Sequence, residues 1–440
     1  MKFQAPKGTR DFYPADMAVR NWIFDAWRRV SLRHGFEEYD APIFESLDLY
    51  RAKSGDGIVS ELFHFRDRGD REFAIRPEMT PTLARMIVAK AQSLARPIKW
   101  FSMPRLCRAE RPQRGRLREF FQWNIDIVGT DDVLSDAECL LVAVDFYREI
   151  GLTPEHMVLK INSRSLLAAL LEAKGLGVDR QPAIFVLLDK RDKVPADAFA
   201  KMVEEVGENA AECDTLLSIG HAKGEQGLAE LASIASGNER AEGELQRLHE
   251  LFALLSKMGV GEYCAYDMSV VRGLAYYTGI VFEGFGKGEL KRAICGGGRY
   301  DELLKTLGGP PMSGIGFALS DVVVQDVLND FNLLPDTDSI SNRPTFFLID
   351  ADETLFPEVM SIAARLRGAG HHAAFNYRRQ AIGKQFKQAG ASGAGWAVIV
   401  GKEFLERQVV AIKNLKSQEQ IEVAVDRFLA DPTGVLEQGG

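Results

Sequence analysis

The sequence predicts an α+β fold divided between two domains, and three observations support this prediction. The chain has 440 residues, which is longer than a single domain usually is. Strand-like segments lie on both sides of a helical, charge-rich stretch at about residues 175–255, so one sheet is expected to continue across a helical insertion. Beyond the aperiodic stretch "NLLPDTDSISNRP", strand and helix patterns alternate, which is typical of a small α/β unit. We therefore expect a first domain over residues 1–330, a linker over 331–343 and a second domain over 344–440.

The first domain should open with an amphipathic helix. Apolar residues follow Pro14 at three- and four-residue spacing, and Gly35 ends the pattern. The segment "GFEEYDAPIFE" is typical of a strand that Pro42 interrupts, as at a sheet edge or an interface. The apolar strand "MVLKI" precedes a capped helix over Asn162–Gly175. After the insertion, "YYTGIVFEGFG" and "AICGGGRYDELLKTLGG" indicate that the sheet resumes.

The second domain alternates strand and helix patterns. The strand patterns "TFFLID", "HHAAFNY" and "WAVIVG" are separated by the helical patterns "PEVMSIAARLRGAG" and "AIGKQFKQAGASG". This alternation predicts a mainly parallel sheet. The closing stretch "QVVAIKNLKSQEQIEVAV" predicts a hairpin.

Composition and charge exclude several protein classes. Hydrophobic residues make up 46% of the chain and charged residues 26%, as in ordinary globular proteins. The sequence contains no apolar window of membrane-spanning length and no N-terminal signal core, so we expect a cytoplasmic protein with no membrane partner. The five cysteines are scattered and form no CxxC pair, which argues against disulfides and against a metal site. The formal net charge of −8 argues against indiscriminate coating of nucleic acid and makes DNA an unexpected partner.

Positive charge is nevertheless concentrated in two stretches. Six arginines lie between Arg105 and Arg118, with Glu110 as the one acidic residue among them. The second stretch, "RRQAIGKQFK", runs from Arg378 to Lys387. Each could form a local site for an anion within an acidic protein.

The first basic stretch runs directly into a predicted strand. Alternation puts apolar side chains on one face of that strand and a mainly polar set on the other, namely Arg118, Phe120, Gln122, Asn124 and Asp126. Guanidinium groups match phosphate oxygens, so an arginine loop above the polar face could hold a polyanion such as ATP. Asp126 and Gln122 could then hold a neutral or cationic organic partner. The alternative is a solvated arginine loop over an ordinary two-sided sheet.

A second group of candidate residues lies in "FAIRPEMTPT". If this segment is extended, Glu78 and Thr80 share one side and could bind an amine or an imidazole N–H. The alternative is a helix N-terminus with Thr80 as its cap and Pro81 in the first turn. The two interpretations are compatible.

Two further peptides carry candidate residues. In "VVRGLAYYTGIVFE", Arg272 precedes a glycine, and Tyr276 and Tyr277 begin a strand; a lone arginine near tyrosines usually has a structural role. In "CGGGRYD", the three glycines either let the backbone approach a ligand or form a strained turn. The sequence contains no GxxxxGK[ST], so a P-loop nucleotide site is not supported.

Taken together, these peptides resemble those of the histidyl-tRNA synthetases, a family of class II aminoacyl-tRNA synthetases, over nearly the whole chain. "KGTRDFYP" is similar to the family's N-terminal signature, "YDAPIFE" to its dimer-forming motif 1 and "CRAERPQRGRLREFFQ" to its motif 2. "RGLAYYTGIVFE" and "CGGGRYDELL" resemble two peptides peculiar to the histidyl enzymes, and "KQFKQAGASGAGWAVIVGKEF" resembles their anticodon-binding domain. Motif 2 alone would indicate only class II, and the two histidyl peptides make the resemblance specific.

The resemblance implies a fold, partners and a reaction. It implies an antiparallel catalytic sheet flanked by helices, a helical insertion and a small α/β anticodon-binding domain, in a homodimer. The substrates would be histidine, ATP accompanied by Mg²⁺, and tRNA(His). The reaction would be that of a histidine–tRNA ligase.

The resemblance also implies roles for individual residues. Arg108 would contact the α-phosphate and the substrate carboxylate, and Arg272 would stabilise charge as that carboxylate attacks, so both would be catalytic. The other ATP contacts would be Glu110 to the adenine amino group, Phe120 to the adenine face, and Arg116, Arg118 and Arg299. Histidine would be surrounded by Arg272 and by Glu78, Thr80, Gln122, Asp126, Tyr276 and Tyr277. The tRNA surface would include Arg378, Arg379, Lys384 and Lys387.

The chain departs from the family pattern at two places. Ala275 stands where the first histidyl peptide normally has an acidic residue. In "GIGFALSDVVV", Val322 and Val323 stand where motif 3 normally has Glu-Arg, and that arginine would grip the ATP γ-phosphate. Either another arginine, such as Arg114 or Arg299, replaces it, or the protein is a paralogue that no longer activates histidine.

Two functions follow, with a third as an outside alternative. The first is an active histidine–tRNA ligase, and the second is a non-catalytic, histidine-sensing regulatory subunit of ATP phosphoribosyltransferase. The apparent anticodon-binding domain favours the ligase, since the regulatory relatives generally lack a full one. A general single-strand RNA binder would need aromatic stacking platforms on an open basic surface, and the sequence suggests none outside the pocket.

Overall fold

The chain divides into two compact units, Met1–Leu334 and Pro335–Gly440. The computed structural model describes residues 3–54, 56–191, 194–271, 277–378 and 380–437. Within these ranges no helix combines the length and the apolar character needed to cross a membrane. A short helix, Thr337–Ile340, lies in the stretch predicted as a linker.

The first unit is built on a nine-stranded sheet that is mainly antiparallel. Only the two outermost pairs are parallel, Glu37–Glu38 with Ile98–Ser102 and Met157–Ser163 with Cys264–Tyr266. The order across the sheet is Glu37–Glu38, Ile98–Ser102, Glu119–Val128, Gly314–Ser320, Ala293–Tyr300, Ile280–Gly286, Met157–Ser163 and Cys264–Tyr266, with Arg105–Cys107 also paired to Glu119–Val128. The strands on both sides of the helical insertion therefore join one sheet, as predicted.

One face of this sheet packs on two long helices. The predicted first helix is confirmed at Pro14–Arg33, and Gly35 follows it at φ +71°. Trp27 of that helix stacks on Trp123 of the central strand at 6.2 Å between ring centroids. Phe146 of the helix Val133–Glu149 meets Trp123 edge-on at 5.3 Å. These fully buried rings anchor the sheet's core face.

The insertion is helical, as predicted, and it follows a capped helix. The Ser163 hydroxyl accepts a hydrogen bond from the Leu166 N–H at 3.1 Å at the start of the helix Arg164–Ala173. The predicted start at Asn162 is wrong, because the preceding strand continues through Ser163 and the Asn162 amide donates to the Val270 carbonyl. The insertion helices are Gln181–Asp189, Ala196–Val206, Ala210–His221, Gly224–Ala235 and Glu239–Lys257.

Shorter elements complete the first unit. A separate antiparallel sheet has the order Phe44–Ser46, Glu72–Ile75, His64–Arg66. The remaining helices are Leu47–Ser54, Thr80–Ala89, Leu303–Thr306 and Asp321–Asp330, with short 3₁₀ turns at Asp56–Glu61 and Gly261–Tyr263.

The second unit is a five-stranded α/β sheet. Three parallel strands are followed by an antiparallel hairpin, in the order Ala373–Phe375, Phe346–Asp350, Trp396–Val400, Val409–Asn414 and Gln420–Ala424. Its helices are Phe356–Gly368, Ile382–Ser392, Lys402–Arg407, Val425–Ala430 and Pro432–Glu437, and Glu353–Leu355 is a 3₁₀ turn. The mainly parallel sheet predicted from the alternating pattern and the hairpin predicted from the closing stretch are both confirmed.

Candidate active site

A cavity of about 680 Å³ lies over the polar face of the central sheet. Its walls bring together many of the residues that the sequence analysis selected from separate peptides. They are Glu78, Thr80, Arg108, Glu110, Arg116, Phe120, Gln122, Asp126 and Tyr277. Arg108 and Arg116 of the basic stretch line this cavity, which favours the ligand-binding interpretation over a solvated loop.

The strand Glu119–Val128 forms the floor of the cavity. Phe120, Gln122, Asn124 and Asp126 all line it, whereas Trp123 packs in the core on the opposite face. The predicted alternation is therefore correct from Phe120 onward. Phe120 and Asp126 are six residue steps apart on the strand, or about 20 Å at 3.3 Å per step, so the floor is long enough for an extended ligand.

Asp126 is the most deeply buried acid of the floor. Its side chain accepts a hydrogen bond from the Tyr300 hydroxyl at 2.6 Å. Burial raises the pKa of Asp126 to about 7, and the Tyr300 hydrogen bond opposes that rise. Gly316 lies directly across the sheet, and a Cβ there would collide with the Asp126 carboxylate. The glycine thus leaves room for the carboxylate.

Glu78 and Thr80 lie at the start of a helix rather than on a strand. The helix Thr80–Ala89 begins at Thr80, with Met79 in the capping position and Pro81 in the first turn. The helix-terminus interpretation is therefore correct, although Thr80 is not the cap. Both side chains still line the cavity, so the helix start is compatible with a role of Glu78 and Thr80 in binding.

Arg108 is held against the cavity wall by two contacts. Its Nε donates to the Pro77 carbonyl at 3.0 Å, and its guanidinium carbon lies 5.0 Å from the centroid of the Phe120 ring. These contacts orient the guanidinium and keep the ring beside it. The arginine and the aromatic ring therefore form one prearranged surface.

The loop between the strands Arg105–Cys107 and Glu119–Val128 contains a tight turn. Gln113 and Arg116 exchange backbone hydrogen bonds of 2.9 Å, and Gly115 between them has φ +71°. Arg116 forms an ion pair with Glu110. Burial, followed by the guanidiniums of Arg292 and Arg108, lowers the pKa of Arg116. Three arginines thus crowd one part of the cavity.

The N-terminal peptide is part of the frame of the site. The Gly8 carbonyl accepts the Arg118 N–H at 2.8 Å. Arg10 donates to the buried carboxylate of Asp321 at 2.6 Å, and the other Asp321 oxygen accepts the Phe121 N–H at 2.9 Å. One carboxylate therefore joins the N-terminal peptide, the floor strand and the helix Asp321–Asp330.

Comparisons with known proteins agree with this geometry. A model of the histidyl-tRNA synthetase family matches residues 8–322, and a model of the anticodon binding domain matches residues 340–431. The chain is 40% identical to a histidine–tRNA ligase of Opitutus terrae over 97% of each chain. It is 39% identical to a chloroplastic/mitochondrial histidine–tRNA ligase of Arabidopsis thaliana, over 95% of this chain and 84% of the relative.

The chain belongs to the histidyl-tRNA synthetase family. Solved structures agree on the fold alone. A histidyl-tRNA synthetase from Nostoc superposes with a TM-score of 0.81 at 24% identity, covering 97% of this chain and 98% of that one. A chain from Bacillus halodurans is described as an ATP phosphoribosyltransferase regulatory subunit/histidyl-tRNA synthetase. It superposes with a TM-score of 0.75 at 21% identity, covering 91% of this chain and 98% of that one. The predicted α+β fold with an antiparallel catalytic sheet is confirmed.

The predicted ATP contact of Arg299 is wrong for this family member. Arg299 and Tyr300 are neighbours on a strand and point to opposite faces, and Tyr300 faces the cavity. The Arg299 Nε donates to the fully buried carboxylate of Asp136 at 2.9 Å, and its Nη2 donates to the Ser135 hydroxyl at 2.8 Å. Arg299 therefore belongs to the core beneath the sheet.

Two other arginines of the basic stretch also lie outside the cavity wall. Arg118 donates through Nε to the Glu110 carbonyl at 3.1 Å, so it braces the motif 2 loop. Arg114 is half exposed and donates to Asp330 at 2.6 Å. Neither side chain is among the described residues that line the cavity, so the structure does not bring Arg118 or Arg114 into the candidate site.

Some predicted residues cannot be placed, and others were missed. Arg272, Ala275, Tyr276 and Arg379 lie outside the described residues. Sequence reasoning missed several side chains that line the cavity, namely Arg292, Glu283, Tyr300 and Asp189. Alternation within "IVFEGFG" and "GGGRY" could have indicated Glu283 and Tyr300. Asp189 ends an insertion helix, and no local pattern marks it.

The "CGGGRYD" glycines form part of a strand, not a strained turn. They lie in Ala293–Tyr300, and none has a positive φ. A Cβ at Gly297 would lie 2.6 Å from a ring carbon of Phe282, so the glycine allows the strands to pack closely. Searched across the described ranges, the structure holds no group of three or more His, Cys, Asp or Glu side chains arranged for a metal ion.

The buried acid gives a prediction for stability. The ordinary pKa of an aspartate is 3.8, and that of Asp126 in the folded chain is about 7. Between these values the folded state holds a proton that the unfolded state has lost, so stability falls as pH rises through this window. Asp126→Asn cannot ionise and should therefore raise the free energy of unfolding at pH 8 by up to about 4 kcal/mol, with little change at pH 4.

Urea unfolding at pH 4 and pH 8 checks this expectation. The control Asp179→Asn removes an exposed carboxylate and should change stability by less than about 0.5 kcal/mol at both values. An Asp126→Asn variant that is no more stable than the parent chain at pH 8 would show that the buried carboxyl carries no such cost.

Proposed function

We propose that this chain is a histidine–tRNA ligase. It activates histidine with ATP to form histidyl-adenylate and pyrophosphate, and then transfers the histidyl group to the 3′ end of tRNA(His). The observation that carries the proposal is one cavity over the polar face of the sheet, lined by both acidic side chains and arginines. The anticodon-binding match over residues 340–431 supports the tRNA step.

Histidine fits the part of the cavity around Asp126. Neutral imidazole has one N–H donor and one acceptor nitrogen, and the amino acid also carries an ammonium group. We assign Glu78 to the ring N–H and Tyr277 to the other ring nitrogen, with Asp126 and Thr80 on the ammonium. Gln122 completes the set on the floor strand. Tyr276 and Arg272 join this set on the family resemblance alone.

ATP fits the part of the cavity around Phe120 and the motif 2 turn. We assign the Phe120 face to adenine, Glu110 to the adenine amino group, and Arg108 to the α-phosphate and the histidine carboxylate. A carboxylate oxygen attacks the α-phosphorus, the bond to the bridging oxygen breaks, and pyrophosphate leaves with the electron pair. Catalysis of this kind depends on positioning and on positive charge at the phosphate.

Two further features of the family enter the proposal. Mg²⁺ would arrive with ATP as part of the nucleotide substrate. A homodimer is supported by the small separate sheet, where Phe44, Phe65 and the preceding Ile43 are each at least 42% exposed. Clustered exposed apolar side chains of this kind mark association surfaces.

The regulatory-subunit alternative has less support. The Bacillus halodurans chain shares the fold at 21% identity, which carries no argument about activity. Both the catalytic and the anticodon-binding family models match this chain. The ligase is therefore the better proposal.

Histidine-dependent ATP–pyrophosphate exchange tests the ligase. Purified protein with Mg²⁺ should exchange labelled pyrophosphate into ATP when histidine is present and not when it is omitted. Charging of tRNA(His) transcripts should follow. A folded preparation without exchange would remove the ligase and favour the regulatory role.

Selectivity for histidine should depend on Glu78. Glu78→Gln keeps the size of the side chain and removes the charged acceptor, so kcat/KM for histidine should fall on the order of 10- to 100-fold. The preference for histidine over phenylalanine should narrow, because phenylalanine never used that hydrogen bond. Exchange kinetics with both amino acids measure this, and the exposed Glu302→Gln serves as the control. An unchanged preference would assign ring recognition to another residue.

The second domain offers a surface for tRNA. Arg378 lies in the exposed turn that follows the strand Ala373–Phe375, and Lys384 and Lys387 are exposed on the helix Ile382–Ser392. Tyr377, immediately before Arg378, is 80% exposed. It is an exposed aromatic ring that the sequence analysis did not select.

The two kinds of contact should be separable by their salt dependence. Replacing Arg378, Lys384 and Lys387 by alanine should weaken tRNA binding and flatten its salt slope, because fewer counterions are released. Tyr377→Ala should weaken binding by about 1–3 kcal/mol with the slope unchanged, because stacking releases no counterions. Filter binding across a salt series measures both, with Lys416→Ala as a single-charge control and exchange activity unaffected throughout. A triple variant with the parental slope would leave the basic stretch without a role in tRNA binding.

A further inference from the structure

The cavity lacks a cation at the position where motif 3 of the family supplies one. Val323 occupies that position, lines the cavity and is 6% exposed. An apolar side chain there cannot neutralise phosphate charge. A ligase with this wall must therefore place positive charge at the end of the triphosphate by another route.

The arginines that sequence reasoning offered as substitutes are engaged elsewhere. Arg299 is buried beneath the sheet with Asp136, and Arg114 pairs with Asp330 outside the cavity wall. Arg108 is held by Pro77 beside Phe120, where it suits the α-phosphate. Of these three arginines, only Arg108 lines the cavity, and it is already assigned to the α-phosphate.

Arg292 is a further arginine of the cavity wall. It immediately precedes the strand Ala293–Tyr300 and lines the cavity. A Cβ built on Gly115 would lie 3.6 Å from its Cδ, so Arg292 runs alongside the motif 2 turn that carries Arg116. Its Nη1 is buried and has no hydrogen-bond partner among the described residues.

Arg116 and Arg292 place two positive charges close together in the cavity wall. After burial, Arg292 is the largest influence that lowers the pKa of Arg116, so the guanidiniums repel one another. Glu110 pairs with Arg116, but nothing in the described ranges satisfies the Arg292 Nη1. A buried unpaired donor is costly, and a phosphate would satisfy it with a charge-assisted fork.

We propose that Arg292, together with Arg116, binds the β- and γ-phosphates of ATP and so replaces the missing motif 3 arginine. This inference rests on the proposed ligase function. The pair would grip the same pyrophosphate group as it leaves. Because the contact is made to the distal phosphates, it should distinguish ATP from AMP.

Equilibrium binding of ATP and AMP to Arg292→Ala tests the assignment. The ATP Kd should rise about 10- to 100-fold, the range expected for a lost charge-assisted hydrogen bond, whereas the AMP Kd should not change. Arg292→Lys keeps the charge without the planar fork, so its ATP Kd should lie between those of the parent and the alanine variant. Arg114→Ala, in the loop that carries Arg116 but outside the cavity wall, should bind both nucleotides like the parent.

Exchange kinetics give a second and independent readout. The KM for pyrophosphate should rise with the KM for ATP in Arg292→Ala, while the KM for histidine stays at the parental value. A structural defect would instead weaken all three ligands and AMP. The double variant Arg292→Ala, Val323→Arg moves the guanidinium to the motif 3 position and should recover part of the lost ATP affinity.

The outcomes separate this inference from the ligase itself. Exchange by the parent chain with an unchanged ATP Kd in Arg292→Ala would overturn the assignment and leave the ligase intact. Equal losses for ATP and AMP would also overturn it, because Arg292 would then support the whole site. No exchange by the parent would remove the ligase, but a selective loss of ATP binding in the variant would still identify Arg292 as a distal-phosphate ligand.

Discussion

The pleat of the strand Glu119–Val128 is the constraint on which the site depends. Successive side chains of a strand point to opposite faces, so this strand must bury Trp123 against Trp27 and Phe146 while it presents Gln122 and Asp126 to the cavity. A shift of one residue would exchange the two sets and put a carboxylate into the aromatic core. The aromatic packing therefore fixes the register, and the register positions the polar floor.

The buried carboxylate of Asp321 secures the register at the other end of the strand. It accepts the Phe121 N–H and the Arg10 guanidinium, and it begins the helix whose Val323 lines the cavity. Removing one partner of a buried ion pair usually costs about 3–5 kcal/mol, because the other charge is left unpaired. Arg10 is thus a structural member of the site although it lies at the start of the chain. This gives the N-terminal peptide, which does not line the cavity, a structural role in the site.

Local patterns predicted the elements, and long-range partners decided the remaining contacts. The helix from Pro14, the alternation from Phe120 and the closing hairpin follow from periodicity within one segment. Arg299 was misassigned because its role depends on Asp136, a helix residue far away in sequence. Arg292 was missed because no periodic pattern marks it, and it meets Arg116 only after the sheet has assembled. Residue type identified the chemistry of the arginines, but only the fold could decide which of them face the cavity.

The charge of the cavity then has a physical rationale. Among the described lining residues, six acids accompany three arginines, so the walls carry more negative than positive charge. ATP alone would be opposed by that excess, whereas the histidine ammonium and the Mg²⁺ carried by ATP both offset it. An ammonium beside Asp126 favours the ionised carboxyl, and a phosphate between Arg116 and Arg292 relieves their repulsion. Each end of the cavity therefore holds a charge arrangement that the proposed substrate at that end would stabilise, and the pairing of histidine with ATP satisfies both.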